Sequence, residues 1–409
     1  NTNNEGYIGA GLFCRLKNAT VENLVIDSSC SFTGSVVGAL SVSLSGSLTV
    51  KKTTNHAAVN GRRSVGGFIG YVQLLEQPFL ISFEESVNHA NVTGSEKWIG
   101  GFVGLISSNP NMAFTISNSI SNGNVTGSGD YVGGFVGFIN SSTNMTMTVS
   151  NSTNNGIITG GYYVGGFVGS IYDNTNMTIV ITHDTSHGNV TGVHNVGGFV
   201  GIIESNTNMA MTISESIDNG IVTGNSSVGG FVGVIYKSTN MTMTISNFLN
   251  NGNVSGNENC VGGFVGLLTD SLNIAMLFSK SANNGNVIGK QYSVGGFSGH
   301  IQRNTNMSMA ISSCINHGTI TGQSGDVGGF IGEIVSLSSN SMSLNITNSV
   351  NKGSVSAKEM ACGFVCVDSY DHIDVKTTIK NSINKGSVNA ATNAYGITNI
   401  ITEARNVVS

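Results

Sequence analysis

The sequence predicts an all-β fold: a parallel β-helix, or β-solenoid, with three sides and about 33 residues per coil. Three observations predict it. The hexapeptide Gly-Gly-Phe-Val-Gly-x and its close variants recur every 32 to 34 residues, with ten phenylalanines in register from Phe68 through Phe135 and Phe231 to Phe364. A fixed period of this size marks a repeat architecture. Between these motifs runs a strict apolar/polar alternation, as in Met145, Met147 and Val149 against Thr146 and Thr148, which is the period of a half-buried strand. Finally, a three-strand unit cannot bury its own apolar face, so like units must stack.

The elements follow from one unit, Tyr131 to Gly161. The run 132–139 (Val-Gly-Gly-Phe-Val-Gly-Phe-Ile) reads as one strand, since each glycine would cost about 1 kcal/mol inside a helix. Phe135, Gly137 and Ile139 are expected to point inward. The position after the third glycine (Tyr71, Leu105, Phe138, Ser170, Ile202, Val234, Leu267, His300, Glu333) tolerates anything and is expected to face out. Val136, apolar on that opposite face, calls for a covering loop or a lateral partner. A turn at 140–144 leads to the methionine strand, whose register repeats at Met209, Met211 and Ile213 and at Met307, Met309 and Ile311. An Asn-Gly or His-Gly corner follows (Asn122-Gly123, Asn155-Gly156, His187-Gly188, Asn284-Gly285, His317-Gly318). Glycine is expected to supply positive φ there, and stacked asparagines to bond to the next coil. A short third strand closes the unit with an inward Val or Ile (Val125, Ile158, Val190, Val222, Val254, Ile320). A β-propeller is the rival, but its blades need four antiparallel strands in about 40 to 50 residues.

Self-similarity from end to end leaves no place for a domain boundary. One solenoid domain is read over 1–409, with degenerate coils over 1–60, regular repeats over 61–357 and divergent coils over 358–409. Gly, Asn, Ser and Thr make up nearly half the chain and charged residues only 10%. The periodic Ile, Val, Met and Phe nevertheless supply a core, consistent with a mean hydropathy of +0.12. The net charge of −5 includes no Lys/Arg run, which speaks against nucleic acid or an anionic membrane surface as partner. No stretch of 18 apolar residues is present, so no membrane insertion is expected. The chain lacks an initiating Met and is expected to be a processed product or a piece of something longer.

The six cysteines do not form a disulfide framework. Cys362 and Cys366, four apart on one expected strand, would lie about 13 Å apart and so be unable to bond to each other. They read as small buried side chains replacing two repeat glycines.

The pattern Asn-Ser-x-x-Asn-Gly-x-Val-Thr-Gly, a short linker, then Val-Gly-Gly-Phe-Val-Gly, as in 118–137, resembles the GLUG-motif repeat of bacterial and protist surface proteins. That motif usually reads Gly-Gly-Leu-Val-Gly and occurs in large adhesins and in non-catalytic parts of secreted peptidases. The resemblance covers about residues 60 to 390, with Phe in place of Leu throughout and two glycines missing at 361–366. It implies a secreted, surface-exposed scaffold and no catalytic residues.

Motifs for nucleophilic, phosphate-binding or metalloprotease chemistry are absent from the sequence. No cofactor is expected. The densest acidic cluster, Asp368, Asp371 and Asp374, offers hard oxygen ligands but aligns with a variable turn, where a solvated loop is expected rather than a calcium site. Glu84, Glu85 and His89 read as exposed edge residues. Thirteen Asn-x-Ser/Thr sequons occur, close to the about eleven that composition alone gives, so the number decides nothing. Their recurrence at fixed register is more informative: Asn91, Asn124, Asn189 and Asn253 in Asn-Val-Thr/Ser, and Asn144, Asn176, Asn240 and Asn306 in Asn-Met-Thr/Ser. These eight are the expected glycosylation sites.

The function expected from the sequence is a non-enzymatic, extracellular or cell-surface rod of structural or adhesive use. Its expected partners are N-linked glycans, host or matrix surfaces, and copies of itself stacked laterally or end to end into a filament, because neither end of the chain looks capped. One alternative is a carbohydrate-active β-helix enzyme, which an acidic groove would mark. The other is an ice-binding solenoid with flat threonine arrays. Thr146/Thr148 and Thr242/Thr244 suit such an array, whereas Ala113, Val180, Ala275, Leu277 and Ala310 interrupt it.

Overall fold

The computed structural model describes residues 8–73, 79–258, 260–335, 341–367, 375–398 and the backbone of 403–405. The chain divides into two compact units, Asn1–Val193 with Gly198–Ala210, and His194–Gly197 with Met211–Ser409. Each is a parallel β-solenoid, and every described residue in regular structure is strand or isolated bridge, none helix.

In the first unit the coil from Val125 carries five short strands: Val125–Gly127, Asp130–Gly133, Val136–Asn140, Thr146–Ser150 and Thr153–Asn154. The expected three strands are therefore subdivided. The glycine-rich run bends at Gly134-Phe135, and a two-residue strand is added after the methionine strand. Stacking is parallel and in register: Val92, Val125, Ile158 and Val190 form one column, and Val103, Val136, Val168 and Val200 another. In the second unit Val222, Val254, Val287, Ile320 and Val355 stack likewise, as do Met241, Ile274, Met307 and Met342.

Burial follows the alternation. Met145, Met147 and Val149 are fully buried while Thr146 is exposed. The motif phenylalanines form a ring stack inside each unit, with centroids 4.8 Å apart for Phe102–Phe135, 4.9 Å for Phe135–Phe167 and 4.4 Å for Phe264–Phe297. Beside them runs a buried amide ladder. Asn250, Asn283, Asn316 and Asn351 each donate from Nδ2 to the next asparagine's Oδ1, at 2.7 to 2.8 Å. Such bonds offset the cost of burying a carboxamide; Asn250 Oδ1, at the start of this run, has no hydrogen-bond partner.

Several expectations are corrected. Cys362 and Cys366 are disulfide-bonded, with Cα atoms 5.5 Å apart. The 13 Å expectation assumed one continuous strand, but Gly363-Phe364 is the bend between Met360–Cys362 and Val365–Val367, which lie in different sheets. The same bend overturns the mid-strand placing of Gly-Gly-Phe-Val-Gly. The corner glycines do not adopt positive φ: among the described residues Gly325 alone does so, while left-handed backbone falls on side-chain-bearing residues such as Asn144, Asn151 and Tyr131. Glycine is required at the corner for closeness. A Cβ on Gly156 would sit 2.0 Å from the carbonyl oxygen of Gly123, and one on Gly285 1.9 Å from that of Gly252. The stacked corner asparagines do bond as expected, with Asn155 donating to Asn122 at 2.8 Å and Asn284 to Asn251 at 2.7 Å.

The position after the third glycine is also corrected. Leu105, Phe138, Ser170, Ile202 and Val234 are buried, not outward and exposed. The cover is the segment that approaches Val-Gly-Gly in the same and the preceding coil: the rings of Tyr131 and Trp98 lie 4.4 and 6.2 Å from that of Phe138. Gly137 admits this backbone, since a Cβ there would meet the nitrogen of Ile99 at 2.6 Å. Val136 is fully buried as well, so its side of the strand is covered, as its apolar character requires.

Candidate functional site

The features most open to function are columns of side chains outside the stack. On the short third strand the alternation that buries Val125 turns Asn124 and Thr126 outward. Stacking then aligns Thr93, Thr126, Thr159 and Thr191 in one exposed column. All eight expected glycosylation asparagines, Asn91, Asn124, Asn144, Asn176, Asn189, Asn240, Asn253 and Asn306, are exposed.

The two sequon columns differ in their bonds. Asn124 Oδ1 accepts the backbone N–H of Ile157 at 2.9 Å, and Asn253 Oδ1 accepts that of Asn286 at 2.9 Å. In the other column Asn144 donates from Nδ2 to Asn111 Oδ1 at 2.9 Å, Asn176 to Asn144 at 3.0 Å and Asn306 to Asn273 at 2.8 Å. Residues of this second column have left-handed backbone, with φ of 54° at Asn144 and Asn176. Asparagine tolerates that conformation better than most residues because its short side chain bonds locally.

The outward threonines of the methionine strands do not form a uniform array. Thr146 stacks on Ala113 and Thr178, Thr148 on Thr115 and Val180, and Thr244 on Leu277. A surface depression of about 440 Å³ lies on this face in the second unit, lined by Ala275, Ser308, Ser343 and Lys376 among others.

Titratable side chains gather on the covered face of the second unit. His300 Nδ1 is 3.8 Å from Glu333 Oε2, and Ser293 Oγ donates to the same carboxylate oxygen. The nearby Cys260 thiol is pushed up to about 12 by burial, reinforced by the charge of Glu333. Protonated at neutral pH, it is a weak nucleophile. Ser293 directs its proton to a carboxylate rather than to an imidazole, which is not the nucleophile–base pairing of acyl transfer. In the first unit Asp184 is buried, accepting from Ser152 N at 2.7 Å and Thr182 N at 3.0 Å, and burial raises its carboxyl to about 7 against the effect of those two bonds. Asp184 occupies the column position of Ser119 and Ser152, so it reads as a variant of a structural serine.

Among the described residues no three His, Cys, Asp or Glu side chains are placed to hold a metal ion. Asp368, Asp371 and Asp374 lie outside the described residues. Glu84 and Glu85 pair across coils with Lys51 at 3.3 Å and Lys52 at 3.8 Å, contacts worth under about 1 kcal/mol at such exposure. His89 stacks on His56 with centroids 4.7 Å apart, and partial burial, then the neighbouring imidazole, lowers its pKa. Two features escaped the sequence reading: the buried asparagine ladder and the covered aromatic face. The first had a signal, the recurrence of asparagine two residues after a buried serine, as in Ser281 and Asn283. The second was signalled by the apolar Val136, but which side chains cover the face depends on a fold-over that no local pattern encodes.

No family model matches the chain, and no curated protein matches it. Among solved structures it is similar to "a putative immunoglobulin A1 protease from Bacteroides ovatus", with a TM-score of 0.40 and 18% identity over 75% of this chain and 79% of that one. A likeness this distant carries no argument about activity.

Proposed function

We propose that this chain is an extracellular scaffold, a structural or adhesive β-solenoid that displays repeated outward columns, N-linked glycans among them, at a cell surface. The observation that carries the reading is the register of the Asn-Val-Thr sequons, whose Asn and Thr face outward in stacked coils around a buried valine. Two further features support it. The Cys362–Cys366 bond fits an oxidising compartment, since cytosolic chains keep thiols reduced. The resemblance to GLUG-motif repeats, with Phe for Leu, points to secreted surface proteins. On this reading the chain's side chains serve the stack and its surface rather than a reaction, and its contacts are host or matrix surfaces and copies of itself, end to end or side by side.

The experiment is surface labelling of intact source cells with a membrane-impermeant amine reagent, followed by thiol trapping of the recovered chain. Labelled protein with Cys362 and Cys366 protected from alkylation is expected. Chain labelled only after lysis, with both thiols reactive, refutes the reading.

A further inference from the structure

We infer that, of the two sequon columns, the Asn-Val-Thr/Ser column carries N-linked sugar in the folded protein, at Asn91, Asn124 and Asn253, and that the Asn-Met-Thr/Ser column is a structural spine kept bare. The inference rests on the glycoprotein reading above and narrows it. Exposure does not separate the columns, because all of these asparagines are exposed. The amide nitrogen does.

Sugar transfer uses Nδ2. The nitrogen attacks C1 of an oligosaccharide carried on a polyprenyl diphosphate, and the new C–N bond forms as the C1–O bond breaks. The diphosphate leaves with that electron pair, and one Nδ2 proton passes to a base of the transferase. The product nitrogen keeps one hydrogen and gains a ring. In the spine that nitrogen already faces the neighbouring coil: Asn144 Nδ2 lies 2.9 Å from Asn111 Oδ1, Asn176 Nδ2 3.0 Å from Asn144 Oδ1, and Asn208 Nδ2 3.0 Å from Asn176 Oδ1. The second unit repeats the arrangement, with Asn273 on Asn240 and Asn306 on Asn273, both at 2.8 Å. Left-handed backbone at Asn111, Asn144, Asn176 and Asn208, φ 52° to 55°, holds every member in the same attitude. A sugar on a nitrogen set 2.8 to 3.0 Å from the next coil's amide oxygen crowds that contact and leaves a single hydrogen to make it, so glycosylation there competes with closing the spine.

The other column has the amide the opposite way round. Asn91 Oδ1 accepts the backbone N–H of Asn124 at 3.0 Å, Asn124 Oδ1 that of Ile157 and Asn253 Oδ1 that of Asn286, both at 2.9 Å. Pinning the oxygen to the stack turns the nitrogen, on the other arm of the planar amide, away from it. Among the described residues no protein group accepts a hydrogen bond from Nδ2 of Asn91, Asn124 or Asn253. A sugar there leaves the coil-to-coil bond intact.

The test is site occupancy in the full chain secreted from a eukaryotic host, read by enzymatic deglycosylation in ¹⁸O-water and peptide mass spectrometry. Occupancy at Asn91, Asn124 and Asn253 is expected to exceed that at Asn144, Asn176 and Asn306 by about tenfold, the factor that one lost net hydrogen bond of the spine produces. Two variants that leave every asparagine in place check it: T93A/T126A/T191A/S255A should lose the sugar at Asn91, Asn124 and Asn253, and T146A/T178A/S308A should leave that sugar in place and the total sugar mass nearly unchanged. Comparable occupancy in the two columns overturns the inference and leaves the glycoprotein reading standing. A chain bare at every sequon overturns both.

Discussion

Replacing Phe135 with alanine tests the inside of the solenoid at its most repeated position. The ring is fully buried and stands between Phe102 at 4.8 Å and Phe167 at 4.9 Å. Truncating a core phenylalanine costs about 3 to 5 kcal/mol through lost transfer energy and the cavity left behind. The upper part of that range is expected here, because two ring contacts worth about 0.5 to 1.5 kcal/mol each vanish together. The cavity cannot collapse easily, since parallel pairing fixes Val103, Val136 and Val168 in register on either side. A loss of about 4 kcal/mol is a factor of about a thousand in the opening equilibrium. Because each coil contacts chiefly its neighbours, the damage should be local. Native-state hydrogen exchange should show protection falling in 136–140 and in the flanking strands 103–107 and 168–172. The matched control is Thr146→Ala, an exposed position whose column neighbour is already Ala113, where a change within about 0.5 kcal/mol is expected. Equal losses from the two substitutions, or exchange accelerated uniformly along the chain, would refute the inside/outside assignment and the stacking argument built on it.

Asp184 makes stability pH-dependent. Burial raises its folded-state carboxyl to about 7 from an unfolded value of 3.8, so its contribution is fully present below about pH 4 and is lost as pH rises towards about 7. The shift is on the order of 4 kcal/mol; Asp184→Asn should gain stability relative to wild type across that window by denaturant titration, and a difference that stays flat or reverses sign would count against the buried carboxyl. Gly285→Ala should lower the thermal midpoint sharply, because its new Cβ would lie 1.9 Å from Gly252 O and the coils must part, at a cost of about 1 to 3 kcal/mol or more. Ile288→Ala nearby, 42% exposed, should be nearly silent, and an unchanged midpoint in the glycine variant would show that corner closeness is not why glycine is there.

The sequence by itself determined whatever depends on period. The spacing of the phenylalanines gave the coil, and the alternation at Met145 to Val149 gave the buried and exposed sides, because strand geometry turns sequence parity directly into direction. It also placed the sequon asparagines outside, as the rule that exposes Asn124 and Thr126 is the one that buries Val125. What it left open lies where the chain turns. Reading Gly-Gly-Phe-Val-Gly as straight strand put Cys362 and Cys366 too far apart, and no local pattern distinguishes a glycine needed for φ from one needed for closeness to the coil below. Tertiary structure decided both: the bend at Gly363-Phe364 brings the sulfurs together, and stacking sets Gly252 O against Gly285. It likewise decided that Phe138 is covered, by Tyr131 of its own coil and Trp98 of the preceding one. The orientation of the sequon amides, nitrogen along the stack at Asn144 and oxygen along it at Asn124, is of the same kind. Identical tripeptide chemistry becomes two different surfaces because the partner is a coil away, and distance across the stack is not written in distance along the chain.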